Sequence, residues 1–144
     1  AADLHDLGKL SVPLDILTKP GELSGLEYGL IKEHVEKCHD LIKEMKFPFA
    51  LSEIVYQHHE RLDGSGYPKG IKGSKIMLEA RILAVSDVLE SMTSHRPYRA
   101  ALGIKKAMYE LKSGAGKKYD SKIVGIAEDV VRKNKGQAFW LDKK

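Results

Sequence analysis

Apolar and polar positions alternate at helical spacing along almost the whole chain, and strand-like alternation is missing over any useful length. Residues 1–9 read as the last turns of a helix, stopped near Gly8-Lys9. A connector follows over residues 10–23, with Pro13 and then Pro20-Gly21 as a turn signal. The next helix opens on a capping box, Ser24-Gly25-Leu26-Glu27, whose serine and glutamate satisfy free backbone N–H groups. Leu26, Leu30, Cys38, Leu41 and Met45 then recur at helical spacing, and His34 lies on that same stripe, so it is expected to point inward. After Phe47-Pro48, residues 49–60 predict another helix, with Ile54 one turn before His58 and Val55 one turn before His59. Residues 61–75 form a loop holding Gly64, Gly66, Gly70, Gly73 and Pro68. Residues 77–93 are apolar on most sides and predict a central helix. Its stripe of Ala80, Leu83, Ala84, Val88 and Ser91 also contains Asp87. Two more helices follow over about 103–113 and 121–133; the first ends at Gly114, and Asp120 is the predicted N-cap of the second. The reading is all-α: a bundle of six or seven helices.

Composition narrows this picture a little. A length of 144 residues suits one domain, and 42% hydrophobic with 31% charged residues argues for a packed core rather than disorder. No apolar run approaches the ~20 residues that a membrane helix needs. The opening Ala1-Ala2-Asp3-Leu4-His5-Asp6 lacks the layout of a secretion signal. The single cysteine, Cys38, excludes an internal disulfide and fits a reducing cytoplasm, the expected location. Lys plus Arg is 24 and Asp plus Glu is 20, a net charge of +4 that solubility alone accounts for. Without an Arg-rich arm, an aromatic platform or a Cys-His finger, neither a DNA partner nor membrane contact is expected.

The informative residues are polar ones on faces otherwise reserved for packing: His34, His58-His59 and Asp87, with His5-Asp6 at the end of the first helix. An unpaired buried carboxylate costs several kcal/mol, so it must be paired or bound to a cation. Imidazole and carboxylate are ligands for iron, manganese or zinc, and without a thiolate cluster a Cys-type structural zinc site is excluded. Taken singly, His34 fits a core histidine bonded to a carbonyl. His5-Asp6 fits a helix-terminal charge pair, and Asp87 a backbone cap. His58-His59 says more, since adjacent helical residues splay by about 100° and can serve two neighbouring metals, or one metal and one hydrogen bond. Four helices each offering a metal-type ligand inward are hard to explain by packing.

His5-Asp6-Leu7-Gly8-Lys9, then His34, then His58-His59-Glu60-Arg61-Leu62-Asp63-Gly64-Ser65-Gly66-Tyr67-Pro68, then Asp87, resembles the HD-GYP family. That family is a branch of the HD-domain metal-dependent phosphohydrolases. Arg96-Pro97-Tyr98-Arg99 matches a further family motif, and the resemblance runs from about residue 4 to about residue 125. It implies an HD-domain fold over residues 1–144 and hydrolysis of the bacterial second messenger cyclic di-GMP to pGpG or GMP by a metal-bridging hydroxide. By that resemblance His5, Asp6, His34, His58, His59 and Asp87 ligate two or three ions, iron or manganese, with Asp6 bridging. Lys9 contacts the scissile phosphate, Tyr67 and Pro68 shape the pocket, and Arg96 and Arg99 pair with substrate phosphate. A sensory or receiver domain upstream and diguanylate cyclase-type domains are the implied partners. The chemistry is consistent: cations lower the pKa of bound water and, with Lys9 and an arginine, offset charge on the phosphoryl oxygens.

The match has gaps. The family draws a further His and Glu from a helix upstream of the HD pair, whereas only four residues precede His5. The abrupt start predicts that the N-terminal helix is truncated. Cys38 stands where the family often has glycine, and His95 where an acidic residue is common. Two alternatives stay open: an impaired domain acting as a cyclic di-GMP receptor or interaction module, and an HD phosphohydrolase of another nucleotide.

Overall fold

The computed structural model describes residues 1–47, 49–96 and 99–134. Pro48, the Pro97-Tyr98 centre of the arginine motif and residues 135–144 of the predicted domain lie outside the described residues. The chain runs through a 3₁₀ turn at Leu7–Ser11 and then α1 (Leu14–Leu17), α2 (Gly25–Lys32), α3 (His34–Glu44) and α4 (Leu51–Gln57). A 3₁₀ turn at Gly73–Lys75 leads to α5 (Leu78–Thr93), α6 (Ile104–Ser113) and α7 (Ser121–Lys133). Among the described residues the only β pairing is two isolated bridges, so the all-α expectation holds.

Local chemistry sets several helix starts. Ser24 Oγ accepts from Glu27 N–H at 3.3 Å while the Glu27 carboxylate accepts from Ser24 N–H at 2.8 Å, the reciprocal pair the sequence predicts. Asp120 likewise caps α7, accepting from Lys122 N–H at 3.0 Å. At the other end of its side chain it takes Arg81 Nη1 at 2.8 Å, which ties α7 to α5.

Three apolar clusters fill the interior. Val85, Val88, Leu89, Ala107, Leu111, Tyr119 and Val124 join α5, α6 and α7. Cys38, Ile42, Leu51 and Val55 join α3 to α4, with Leu4 and Leu7 laid over them. Ile54, Ile76, Ala80 and Leu83 join α4 to α5.

Three expectations are corrected. The first residues are not the end of an α-helix: Leu4 N–H donates to Ala1 O, Leu7 to Leu4 and Lys9 to Asp6, all three residues back, which is the tighter 3₁₀ pattern. The helix after the capping box breaks at Glu33 into α2 and α3. The inward face of α3 is therefore His34, Val35, Cys38 and Ile42, whereas Leu26, Leu30, Leu41 and Met45 are exposed. His34 and Cys38 are inward as expected, but Leu41 gives way to Ile42 on the inward face, and Leu26, Leu30 and Met45 fall outside it. Finally, α4 stops at Gln57, so His58 and His59 follow the helix rather than lying within it.

Candidate functional site

A close backbone approach brings the first two donors to α3. A Cβ on Gly8 would stand 1.9 Å from His34 O and 2.8 Å from Cys38 N, so only glycine lets the 3₁₀ turn lie against this helix. Cys38 Sγ, fully buried, donates to Leu4 O at 2.9 Å and fastens the same segment. His5 and Asp6 are thereby held over the N-terminus of α3, where His34 is the first residue.

Three imidazoles share one arrangement. His5 Nδ1–H donates to Ala2 O at 2.6 Å, His34 Nδ1–H to Ile31 O at 2.5 Å and His58 Nδ1–H to Val55 O at 2.5 Å. Each carbonyl is three residues back and fixes the tautomer, which leaves Nε2 as a lone-pair donor. All three Nε2 atoms are buried with no hydrogen-bond partner. The core-histidine reading and the ligand reading of His34 are thus both true, one for each ring nitrogen.

Carboxylates face these nitrogens at distances too long for hydrogen bonds. Asp6 Oδ1 is 3.6 Å from His34 Nε2 and Asp6 Oδ2 is 3.6 Å from His5 Nε2, so its two oxygens address different histidines. Asp87 Oδ1, from the centre of α5, is 3.6 Å from His5 Nε2. Ligand bonds of about 2.0–2.2 Å put neighbouring donors on one cation roughly 3–3.6 Å apart. Donor atoms of His34, His58 and His59 lie within 4.8 Å of one another, and so do those of His5, Asp6 and His58. His58 belongs to both groups. The splay expected of the His58-His59 pair is absent, because the helix has already ended: their rings are 3.9 Å apart and tilted by 39°.

Burial decides most of the protonation states. It pushes the His58 imidazole down to about 4, and His59 and His34 also fall below the ordinary value for the same reason. At His5 burial is outweighed by Asp87 and Asp6, which raise it. For Asp87 burial opposes ionisation, but the His5 imidazole and the neighbouring histidines hold its carboxyl well below the usual range. Neutral imidazoles beside an ionised carboxylate are the forms a divalent cation takes.

The glycine loop braces this centre through Glu60, Arg61 and Gly66, motif residues to which sequence reasoning gave no task, together with Gln57, just before the motif, and Tyr67. The buried Glu60 carboxylate accepts from Lys69 N–H at 2.8 Å and Ile71 N–H at 2.9 Å, folding the loop back on the end of α4. Gln57 Oε1 accepts from Met77 N–H at 2.8 Å, just before α5. Arg61 Nη1 donates to His58 O and Glu60 O, holding the backbone of the histidine pair. A Cβ on Gly66 would meet His59 O at 2.4 Å, so the loop can cross here only as glycine. Tyr67 then stacks on His59, with ring centroids 4.7 Å apart. The signal for Glu60 was an acidic residue on an otherwise inward stretch; its backbone partners, nine and eleven residues on, leave no periodic trace.

Beside the donors lies a cavity of about 730 Å³, walled by the connector and α2 and including Lys9, Lys19, Tyr28 and Arg96. Lys9 Nζ also donates to Asp6 Oδ2 at 2.6 Å, so one residue touches both the donor cluster and the cavity. Arg96 is bonded to Glu90 at 2.7 Å. Arg99 is not among the residues lining this cavity. Its guanidinium donates to Ser91 O at 2.5 Å, and its backbone pairs with that of Arg96.

Comparison with known proteins gives the family of the chain. The HD domain family model matches residues 1–123. The cyclic di-GMP phosphodiesterase response regulator RpfG of Xanthomonas campestris pv. campestris is 40% identical over 126 residues, covering 86% of this chain and 33% of that protein. A cyclic di-GMP phosphodiesterase of Thermotoga maritima is 39% identical over 126 residues, 86% of this chain and 34% of that protein. A 3′3′-cGAMP-specific phosphodiesterase of Vibrio cholerae is 37% identical over 142 residues, 96% of this chain and 31% of that protein. The chain spans about a third of the length of these curated relatives. No helix among the described residues is long and apolar enough to cross a membrane.

Proposed function

The chain belongs to the HD domain family, and from that premise we propose that it is the hydrolytic domain of a metal-dependent phosphodiesterase that opens cyclic di-GMP to linear pGpG. One observation carries the reading: three imidazoles, each fixed by a carbonyl at Nδ1 and with a buried, unpartnered Nε2, converge with Asp6 and Asp87. Apolar packing gives no reason to orphan three nitrogens in one place, since each unmet polar atom costs about 1–3 kcal/mol. A cation bound among them removes that penalty.

The residues present therefore fit a divalent metal centre. His5, Asp6, His34, His58, His59 and Asp87 would hold it, and the imidazole–carboxylate set suits iron or manganese. Such a centre, when loaded, supplies an acidified water and an electrostatic clamp for phosphoryl oxygens. The chain's own residues do the rest. Asp6, with one oxygen toward His34 and one toward His5, suits two neighbouring ion positions. Lys9 reaches from Asp6 to the cavity and pairs with an oxygen of the scissile phosphate as a point charge. Arg96, also on the cavity lining, offers a planar, two-pronged contact. Tyr67 keeps the His59 ring in place by stacking on it.

Cyclic di-GMP is the substrate named for two of the relatives, and the cyclic GMP–AMP dinucleotide named for the Vibrio protein is the second reading. The response regulator among them supports a regulatory domain elsewhere in the natural protein, and we place the whole in the bacterial cytoplasm. The test is a substrate panel with manganese or ferrous iron. Turnover of cyclic di-GMP far above that of mononucleotides and other phosphomonoesters is expected; a preference for mononucleotides contradicts the assignment. Full metal occupancy with tight binding of cyclic di-GMP and no turnover would instead make the domain a receptor.

A further inference from the structure

The cations around the cavity differ in how they are neutralised. Lys9 is paired with Asp6 at 2.6 Å, Lys19 with Glu27 at 2.8 Å and Arg96 with Glu90 at 2.7 Å. Lys32, the last residue of α2, is half-buried and has no carboxylate partner among the described residues. Its Nζ lies instead over two aromatic faces, 4.6 Å from the centre of the Tyr28 ring and 5.3 Å from that of Tyr67. Tyr28 lines the cavity, and Tyr67 is stacked on His59. Lys32 is thus one aromatic ring removed from the donor cluster and one from the cavity.

Cation–π contacts of this kind are worth about 0.5–2 kcal/mol. They hold an ammonium in place without neutralising it, so its charge remains available to an anion. We propose that Lys32 binds the phosphodiester of the cyclic dinucleotide that is not being cleaved, and so positions the macrocycle with its other phosphodiester at the metal centre. This rests on the hydrolase reading above. The two phosphodiesters of such a ring stand on opposite sides of one macrocycle. A substrate with one phosphate at His59 and Asp6 holds its second phosphate away from the cluster, and Tyr67, stacked on His59, and Tyr28, on the cavity wall, line one path leading there. Lys9 is committed to Asp6 and serves the first phosphate; Lys32 is the unneutralised charge displaced from it.

The experiment compares Lys32→Met and Lys32→Arg with the wild type on two diesters: cyclic di-GMP, which has two phosphates, and bis(p-nitrophenyl) phosphate, which has one. For cyclic di-GMP, Lys32→Met should raise KM about tenfold with kcat within about twofold, the loss expected for one charged contact. Lys32→Arg should recover most of that loss. On bis(p-nitrophenyl) phosphate all three proteins should have the same kcat/KM, which shows that the metal centre and the fold are intact. An unchanged KM for cyclic di-GMP in Lys32→Met overturns the proposal. Equal losses on both diesters also overturn it, because they place Lys32 in the support of the metal centre. If the wild type hydrolyses the small diester but neither binds nor cleaves cyclic di-GMP, the substrate reading itself is wrong and Lys32 falls with it.

Discussion

The half of the molecule built from the first 3₁₀ turn, α3 and α4 and the half built from α5, α6 and α7 have interiors that differ in kind. Around α6, the core is Val85, Val88, Leu89, Ala107, Leu111, Tyr119 and Val124. Around α3 and α4, the small apolar cluster of Cys38, Ile42, Leu51 and Val55 sits beside buried His34, Gln57, His58 and Glu60. Glu60 Oε1 and Oε2 and Gln57 Oε1 all accept from backbone amides, whereas His34 and His58 are each left with one open nitrogen. The interior of the second half is closed by apolar packing, whereas that of the first leaves polar nitrogens open. Asp87 connects them: it rides on α5, in the second half, and its carboxylate lies 3.6 Å from His5 Nε2 in the first.

The largest effects should come from removing donors in the first half. His58→Ala or Asp87→Ala should lower turnover of cyclic di-GMP by about a thousandfold or more, near 4 kcal/mol in the barrier. Far-UV circular dichroism should show the helices retained. Activity within tenfold of wild type in either variant would mean that the donors are not the working centre. The matching change in the second half is Leu111→Ala, a fully buried side chain of the α6 core. It should cost about 3 kcal/mol of folding stability in urea titration while metal content per folded chain stays unchanged. Loss of metal along with stability would erase the distinction between the halves.

How the sequence relates to these halves follows from what periodicity can carry. The capping box at Ser24, the cap at Asp120 and the bounds of α5 and α7 are local signals, and they are met. The donors were legible as polar residues on inward faces and as motif residues, and His5, Asp6, His34, His58, His59 and Asp87 do converge. The errors lie where contacts between distant residues override local pattern. The stripe through Leu26, Leu30, Leu41 and Met45 failed because the helix breaks at Glu33 and Val35 and Ile42 set the phase. The 3₁₀ turn at Leu7–Ser11 answers to the backbone of α3 against Gly8, 26 positions away in the chain, which no window of local sequence contains. Lys32 carried no signal at all, because its partners are the aromatic faces of Tyr28 and of Tyr67 across the glycine loop.

A smaller effect tests the scaffold of the first half. Glu60→Gln replaces one accepting oxygen by a donor that faces either Lys69 N–H or Ile71 N–H, at a cost of about 1–3 kcal/mol. Hydrogen exchange should speed up at those two amides and not in α6. Unchanged protection would show that the glycine loop is held by other contacts.

The smallest effect belongs to Glu27, whose carboxyl is held down at about 2 against an ordinary 4.5 by the Lys19 ammonium and the Ser24 cap. A carboxyl lowered on folding stabilises the protein fully above its ordinary value and loses that contribution as pH falls toward its folded one. Glu27→Gln should therefore lower the thermal midpoint slightly at pH 7, and the two proteins should converge as the pH approaches 2. A difference that persists there would assign the effect to packing rather than charge.

The central claim is that the open imidazole nitrogens exist to hold cations, and equilibrium metal content tests it most directly. The chain is loaded with manganese or ferrous iron, desalted and assayed for metal per protein. Wild type should retain metal, and His58→Ala, which removes the residue common to both donor groups, should retain none. His59→Ala should keep part of it, and His39→Ala, altered at a histidine paired with Asp40 and Glu53, should keep all of it. A wild type that holds no metal, or a His58→Ala variant that holds as much as the wild type, would contradict the account.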